Sequence, residues 1–373
     1  MTELRYWLWL TLKKGITSRK ITLLLEHFKT PKDIFSASEE TLRKVPGLTG
    51  KDVRILSDKT LKKTESVIGI CKSKNIKILT FDSPFYPRLL KMIYDPPYVL
   101  YARYRERIDL NEHVTVSVVG TRTSTPYGKG VAEAFSKKMA GEGITVVSGM
   151  AAGVDSAAAR GALAGGGKTV AVLGCGVDKC YPAFNRQLME SIINQGMVLS
   201  EYPPGTPPYP TNFPARNRII TGLSLGTLIA EAPKASGALI SATLAAEQNR
   251  EVFAVPADIT RVQSKGSNAL LQDGVKPVLT PEDIICEFRE GFGALMDINK
   301  PGCQAEEAEP EWQSGDLTET EQKILKLLSD GAKHIDSLVE EGFDPAELSA
   351  ELLGLELRGL IKSLPGKQYE LSI

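Results

Sequence analysis

Through residue 65, apolar positions recur every three to four residues, over 4–12, 18–27 and 31–36, with breaks at Gly15 and Pro31. That spacing predicts short amphipathic helices. Two more helices flank Val45-Pro46-Gly47-Leu48-Thr49-Gly50-Lys51. The turn between them has two readings. One is a helix-hairpin-helix that offers backbone N–H groups to a DNA phosphate, with Lys51 and Arg54 adding attraction; the other is a structural turn in a SAM-like bundle. From 114 the period changes. Apolar runs at 114–119, 144–147, 169–173, 197–200, 227–230 and 251–255 alternate with helical stretches near 128–139, 155–163, 185–193, 214–220 and 238–248. Strands apolar on both faces and separated by helices predict a parallel, doubly wound α/β sheet. Short strands at 78–81 and 98–101 are expected to extend it on the N-terminal side.

Periodicity lapses over 301–315, which holds Pro301, Gly302, Pro310, Gly315 and four Glu. Beyond it, Thr318-Glu319-Thr320-Glu321 caps a helix with Ile324, Leu325, Leu327 and Leu328 on its apolar face. Two more helices and a hairpin across 361–371 complete the pattern of a small winged helix. The organisation expected is a helical domain over 1–65, a sheet domain over 66–300, an acidic linker over 301–315 and a winged helix over 316–373.

Charge changes this picture only when divided. The 45 basic and 45 acidic residues cancel over the whole chain, which argues against a polyanion partner. By segment the net charge is +6 over 1–65, +4 over 66–300, −4 over 301–315 and −6 over 316–373. A basic front and an acidic tail leave room for a nucleic-acid partner at the front. The expected recognition helix of the winged domain carries Glu347, Glu351 and Glu356 against Arg358, so tight duplex binding is not expected there. No run approaches the ~18 apolar residues a membrane span needs. Residues 1–10 read as a helix and not a signal peptide, because no small-residue cleavage site precedes Lys13-Lys14. The five cysteines (Cys71, Cys175, Cys180, Cys286, Cys303) are scattered and form no C-x-x-C, which fits a reduced cytoplasm. With His27, His113 and His334 in separate regions, no metal site and no cofactor are expected.

Open parallel sheets bind ligands beyond the carboxyl ends of their strands. The loops predicted there are Gly120-Thr121-Arg122, 148–155, Gly174-Cys175-Gly176, 201–218 and 231–237. Glycines let main-chain N–H groups approach an anion, and the following helices aim their positive ends at it. Arg122 is the cation placed to pair with it. In the fourth loop Phe213 precedes Arg216-Asn217-Arg218, an aromatic platform beside guanidiniums, as a single-strand site needs. The competing reading puts both arginines in structural ion pairs; one in each role is the expectation. Three other matches fail on context. Gly167-Lys168-Thr169 ends a relaxed Walker A, and Gly222-Leu223-Ser224-Leu225-Gly226 matches a nucleophile elbow, but each follows a helix and opens a strand. The Cys175–Cys180 spacing lacks companion ligands.

Several ordered stretches carry a resemblance: Val119-Gly120-Thr121-Arg122, Ser148-Gly149-Met150-Ala151-Ala152-Gly153-Val154-Asp155, Gly174-Cys175-Gly176 with Tyr181-Pro182, Phe213-Pro214-Ala215-Arg216-Asn217-Arg218, and Ser236-Gly237. Together they are similar to the DNA-processing protein A family (DprA, also called Smf), in order over about 100–290. The resemblance implies an extended Rossmann fold between the helical (SAM or helix-hairpin-helix) domain and the winged helix. It implies a non-enzymatic protein that binds and protects single-stranded DNA and loads the RecA recombinase during transformation. It also implies a homodimer formed through the Rossmann domain. Carried over, the DNA-binding residues are Gly120, Thr121, Arg122, Ser148, Gly149, Gly153, Gly174, Gly176, Phe213, Arg216, Asn217, Arg218, Ser236 and Gly237. The chain departs from the family at Thr121, where Ser is usual, and at Ala183 and Pro210, where cations are common. Lys168, Lys179 and Arg186 are the candidate replacements for those cations. The alternative is a nucleotide phosphoribohydrolase-like Rossmann enzyme with Glu231 as its catalytic Glu, although the Pro-Gly-Gly-x-Gly-Thr motif of that group is absent.

Overall fold

The computed structural model describes residues 2–301, 318–328, 333–357, 360–364 and 366–371. It forms two compact units, Met1–Cys303 and Gln304–Ile373. The expected acidic linker falls almost entirely outside the described residues, as does Arg358.

The first unit is built on nine strands: β1 (Lys77–Thr80), β2 (Val99–Arg103), β3 (Thr115–Val119), β4 (Thr145–Ser148), β5 (Thr169–Val172), β6 (Met197–Ser200), β7 (Gly226–Ile229), β8 (Glu251–Ala254) and β9 (Lys276–Pro277). Their order is β1-β2-β6-β5-β4-β3-β7-β8-β9. From β6 to β9 all pairings are parallel. At the other edge β2 runs antiparallel to both β6 and β1, so of the two short N-terminal strands β2 is reversed and β1 returns to the direction of the parallel strands. Strands β3 to β6 are buried at every position, which is why they read as continuous apolar runs.

Alternate residues serve the two faces. Val116, Val118 and Val146 pack against helices Pro126–Gly141 and Val154–Ala164. Val119, Val147 and Val172 pack against Asn212–Gly222 and Gly237–Glu247. The N-terminal helices bury Trp7, Leu8 and Trp9 in a core shared with Tyr98, Tyr101 and Val198 of the sheet. Residue 65, where the sequence divides helical region from sheet region, lies inside helix Lys62–Ser73.

The connections out of β3 and β7 set the functional geometry. Strands β3 to β6 follow one another outward to one side, and β7 then lies on the other side of β3. The loops after β3 and β7 therefore diverge and leave a crevice between them.

The second unit packs helices Glu319–Leu328, Ile335–Glu340 and Pro345–Leu357 against a three-stranded sheet, order β10-β12-β11. Here β10 is Lys333–His334, β11 Ile361–Leu364 and β12 Gln368–Leu371. Thr318 and Glu321 form the reciprocal cap that opens its first helix. Leu325, Leu338, Leu352 and Ile361 fill its core.

Candidate nucleic-acid interface

The crevice between β3 and β7 opens into a cleft of about 460 Å³. Gly120, Thr121, Arg122, Phe213, Arg216, Asn217, Ser236 and Gly237 all line it. Sequence positions more than a hundred residues apart thus converge on one site.

Its first wall is the turn after β3. The Thr121 N–H donates to the main-chain oxygen of Glu231 at 2.8 Å, which ties this turn to the end of β7. That N–H is therefore spent on the fold and not offered to a phosphate. Gly153 has φ +84°, and a Cβ there would run into the carbonyl oxygens of Thr121 and Arg122. The second loop can press against the first only because this residue is glycine. Arg122 projects from the turn, exposed, with its guanidinium carbon 5.0 Å from the centre of the Phe213 ring. Among the described residues it forms no ion pair.

Phe213, in the first turn of helix Asn212–Gly222, is half-buried. Its ring lies over Gly174, where a Cβ would sit 3.0 Å from the ring edge, and 5.2 Å from the ring of Tyr181. Gly174 thus contributes by making room for the platform. The N–H of Gly176 is bonded to Thr206 at 3.0 Å, so this third turn pins the proline-rich loop instead of cradling an anion. Tyr181 is 42% exposed and lines the cleft, a second aromatic that the sequence did not place in the site. Its position in the Tyr181-Pro182 motif was the available signal.

The arginines of the Arg-Asn-Arg stretch are both engaged with protein groups. Arg216 is buried; its Nη1 donates to the carbonyls of Gly149, at 2.9 Å, and Val172. Asp155 faces the same side of Gly149, where a Cβ would run into both side chains. Burial pushes the Asp155 carboxyl up, and the Arg216 charge with the N–H groups of Ala151 and Gly149 opposes that rise. Arg216 still lines the cleft, and its buried Nε finds no hydrogen-bond partner among the described residues. Arg218 does not join the cleft. It pairs with Asp95 at 3.0 Å and Glu201 at 2.7 Å on another side of the helix. One arginine in each role is therefore not what is found: Arg216 is a core residue with one free donor, and Arg218 is a structural ion pair. Positions 216 and 218 are two apart, and a helix aims such neighbours in different directions.

On the opposite wall Ser236 caps helix Gly237–Glu247, accepting from Ala238 N at 3.2 Å, so this helix starts at the cleft. The exposed Gly237 has open space around it, and Asn217 Nδ2 donates to its carbonyl at 3.2 Å. Ser148 is buried, and its hydroxyl bonds to Val118 O at 2.8 Å, bracing β4 against β3. Of the three candidate replacement cations, Lys168 immediately precedes β5 and so sits at the amino edge of the sheet, away from the cleft. Lys179 and Arg186 are exposed in the segment that carries Tyr181.

Glu231 is fully buried, with one carboxylate oxygen accepting from Thr125 N at 2.8 Å and the other from Thr125 Oγ1 at 2.7 Å. It anchors the loop behind Arg122. Among the described residues no group of His, Cys, Asp and Glu could hold a metal ion, and no helix is long and apolar enough to cross a membrane.

Residues 77–289 match the family described as DNA recombination-mediator protein A, and residues 307–367 match the DprA winged helix domain. A curated relative, Protein Smf from Synechocystis, is 35% identical, covering 99% of each chain. The X-ray structure of DNA processing protein A from Streptococcus pneumoniae superposes with a TM-score of 0.67 at 33% identity, over 76% of this chain and 97% of that one. DNA processing protein A from Helicobacter pylori, solved in a study of its single-stranded DNA binding mode, superposes with a TM-score of 0.52 at 30% identity, over 57% of this chain and 96% of that one.

Proposed function

The chain belongs to the DNA recombination-mediator protein A family, and from that membership we propose that it binds single-stranded DNA in the β3–β7 cleft and delivers it to the RecA recombinase during transformation. The carrying observation is the pairing of an exposed, unpaired Arg122 with the half-buried Phe213 ring at the topological switch point. A stacking face beside a free guanidinium suits a nucleotide with its bases unpaired. The N-terminus of Gly237–Glu247 adds donors to the same cleft. The single-strand binding mode of the Helicobacter pylori relative supports this reading.

The site binds and does not hydrolyse in this reading. A phosphoribohydrolase would need Glu231 to act as an acid, and both of its oxygens are committed to Thr125 in a closed environment. In this reading the protein works in the cytoplasm as a homodimer. Ile259 and Val262, after β8, and Leu279, after β9, are all more than 60% exposed and offer apolar surface for the second copy.

The test of delivery is RecA filament assembly on a strand already coated with a single-strand-binding protein. Faster assembly with this protein present is the expected result. No acceleration would remove the loading role and leave strand binding standing.

A further inference from the structure

A second basic feature lies on the N-terminal helices and shares no residue with the cleft. Lys13, Lys14, Lys62 and Lys63 line a groove of about 500 Å³ floored by Trp9. Lys59 reaches the same indole, its Nζ 5.1 Å from the ring, and the Lys13 Nζ is 5.3 Å away. Among the described residues Asp58 is the one acidic side chain in the lining, and it is already bonded to Lys13 at 2.9 Å and to Thr60. Burial, with the Lys13 charge beside it, pushes the Lys59 ammonium down to about 8. Lys59 and Lys13 are held close despite their like charge, and an anion in the groove would offset it. Trp9 is the aromatic of the lining and is 1% exposed, so the groove offers no face on which a base could stack. It suits a phosphate backbone and is indifferent to the bases.

The same helices carry two hairpins that repeat each other, the first directly after the groove's Lys13 and Lys14. Gly15-Ile16-Thr17-Ser18-Arg19-Lys20-Ile21-Thr22-Leu23-Leu24 matches Gly47-Leu48-Thr49-Gly50-Lys51-Asp52-Val53-Arg54-Ile55-Leu56 at an offset of 32 positions. Both glycines have positive φ, +96° and +86°. Both threonines cap the next helix, accepting from Lys20 N at 3.4 Å and Asp52 N at 3.3 Å. The packing is reciprocal. A Cβ at Gly15 would touch Ile55 at 3.4 Å, and one at Gly47 would touch Leu23 at 3.2 Å, with Ile55 and Leu23 at equivalent positions of the repeat. Lys20 and Asp52, also equivalent, pair with each other at 2.6 Å. These contacts relate the hairpins by an approximate twofold axis that passes between Lys20 and Asp52. Arg19 and Lys51, another equivalent pair, are both exposed in the first turns of their helices.

The two backbones of a DNA duplex are likewise related by twofold axes perpendicular to the helix. We propose that the N-terminal helices form a second nucleic-acid site that takes the phosphodiester backbones of double-stranded DNA, one strand at each hairpin, with the lysine groove continuing the phosphate path along one of them. The site rests on residues outside the β3–β7 cleft and stands whether or not the cleft binds a single strand. With both sites occupied, the protein would hold a junction between single- and double-stranded DNA.

The experiment uses the full chain and a short fluorescein-labelled duplex, titrated by anisotropy over a salt series. Lys14→Glu, Lys62→Glu and Lys63→Glu are combined in one variant, since all three side chains are exposed. This variant should bind duplex at least tenfold more weakly, with a log–log salt slope flatter by about 2.7, or ~0.9 for each of the three phosphates no longer neutralised. Arg19→Glu with Lys51→Glu, reversing the hairpin cations alone, should also weaken duplex binding. Arg122→Ala should leave it within twofold. Matching melting curves would show that the variants fold. The proposal is overturned if the parent protein does not bind duplex at low salt, if neither charge-reversal variant changes its affinity, or if Arg122→Ala abolishes duplex binding as well.

Discussion

The guanidinium of Arg122 stands 5.0 Å from the ring centre of Phe213, although the two are brought in by different strands' loops. The pair is exposed on the arginine side and half-buried on the phenylalanine side. Each residue keeps a surface free for a ligand: the cation forms no ion pair among the described residues, and the ring has Gly174 behind it. A strand threading the cleft would meet a phosphate clamp and a base platform at adjacent points.

Phe213→Ala should weaken single-strand binding by about 1–3 kcal/mol, the range for loss of a stacking platform. Phe213→Tyr should retain most of it. Anisotropy with a fluorescent oligonucleotide measures both, and equal affinity for the alanine variant would show that the ring only packs against Gly174 and Tyr181.

Ala183 is exposed two residues beyond Tyr181, next to the cleft's second aromatic. Ala183→Lys should tighten single-strand binding and steepen its salt slope by about 0.7, one more phosphate neutralised. An unchanged slope would place this position off the path of the strand.

Arg216→Leu should destabilise the fold by about 3–5 kcal/mol, because it leaves the buried Asp155 without its facing charge. The carbonyls of Gly149 and Val172 would lose their shared donor as well. Urea unfolding measures this, and a change below about 1 kcal/mol would contradict a structural role. Arg122→Ala, at an exposed position, should stay within about 0.5 kcal/mol of the parent in the same assay.

His113 is mostly buried against Thr145 Oγ1, at 2.9 Å. Burial, with the Lys168 charge, pushes its imidazole down to about 4, and Asp109 only partly opposes this. In the unfolded chain a histidine titrates near 6.5. Between these two values the unfolded state binds the extra proton, so this group's contribution is complete above pH 6.5 and is lost progressively down to about pH 4. Stability measured at about pH 7 and about pH 5 should differ less in His113→Gln than in the parent protein. An equal difference would show that His113 is not the group responsible.

The sheet was legible in the sequence where burial acts on both faces. Strands β3 to β6 have no polar face, so their apolar runs stand out from the helices between them. The reversed direction of β2 was not legible, because strand direction is set by the path of the connection and leaves no mark on the residues of the strand. Phe213 and Arg122 could be singled out because their loops lie at the carboxyl edge. The division of labour between Arg216 and Arg218 could not, since it depends on which carbonyls and carboxylates the helix happens to face. Glycine turns were misleading in one respect. Several in register suggested a cradle of free N–H groups, yet those of Thr121 and Gly176 are used to close the fold. The internal repeat of the N-terminal hairpins is faint in side-chain identity and plain in the backbone, where Gly15 and Gly47 share one conformation.

The central claim is that a single strand lies in the β3–β7 cleft with a phosphate against Arg122. Single-strand affinity of the parent protein and of Arg122→Ala, measured over a series of salt concentrations, tests it most directly. Arg122→Ala should bind more weakly at every salt concentration, with a log–log slope flatter by about 0.7, one phosphate fewer neutralised. Superimposable titrations of the two proteins, in affinity and in slope, would contradict it.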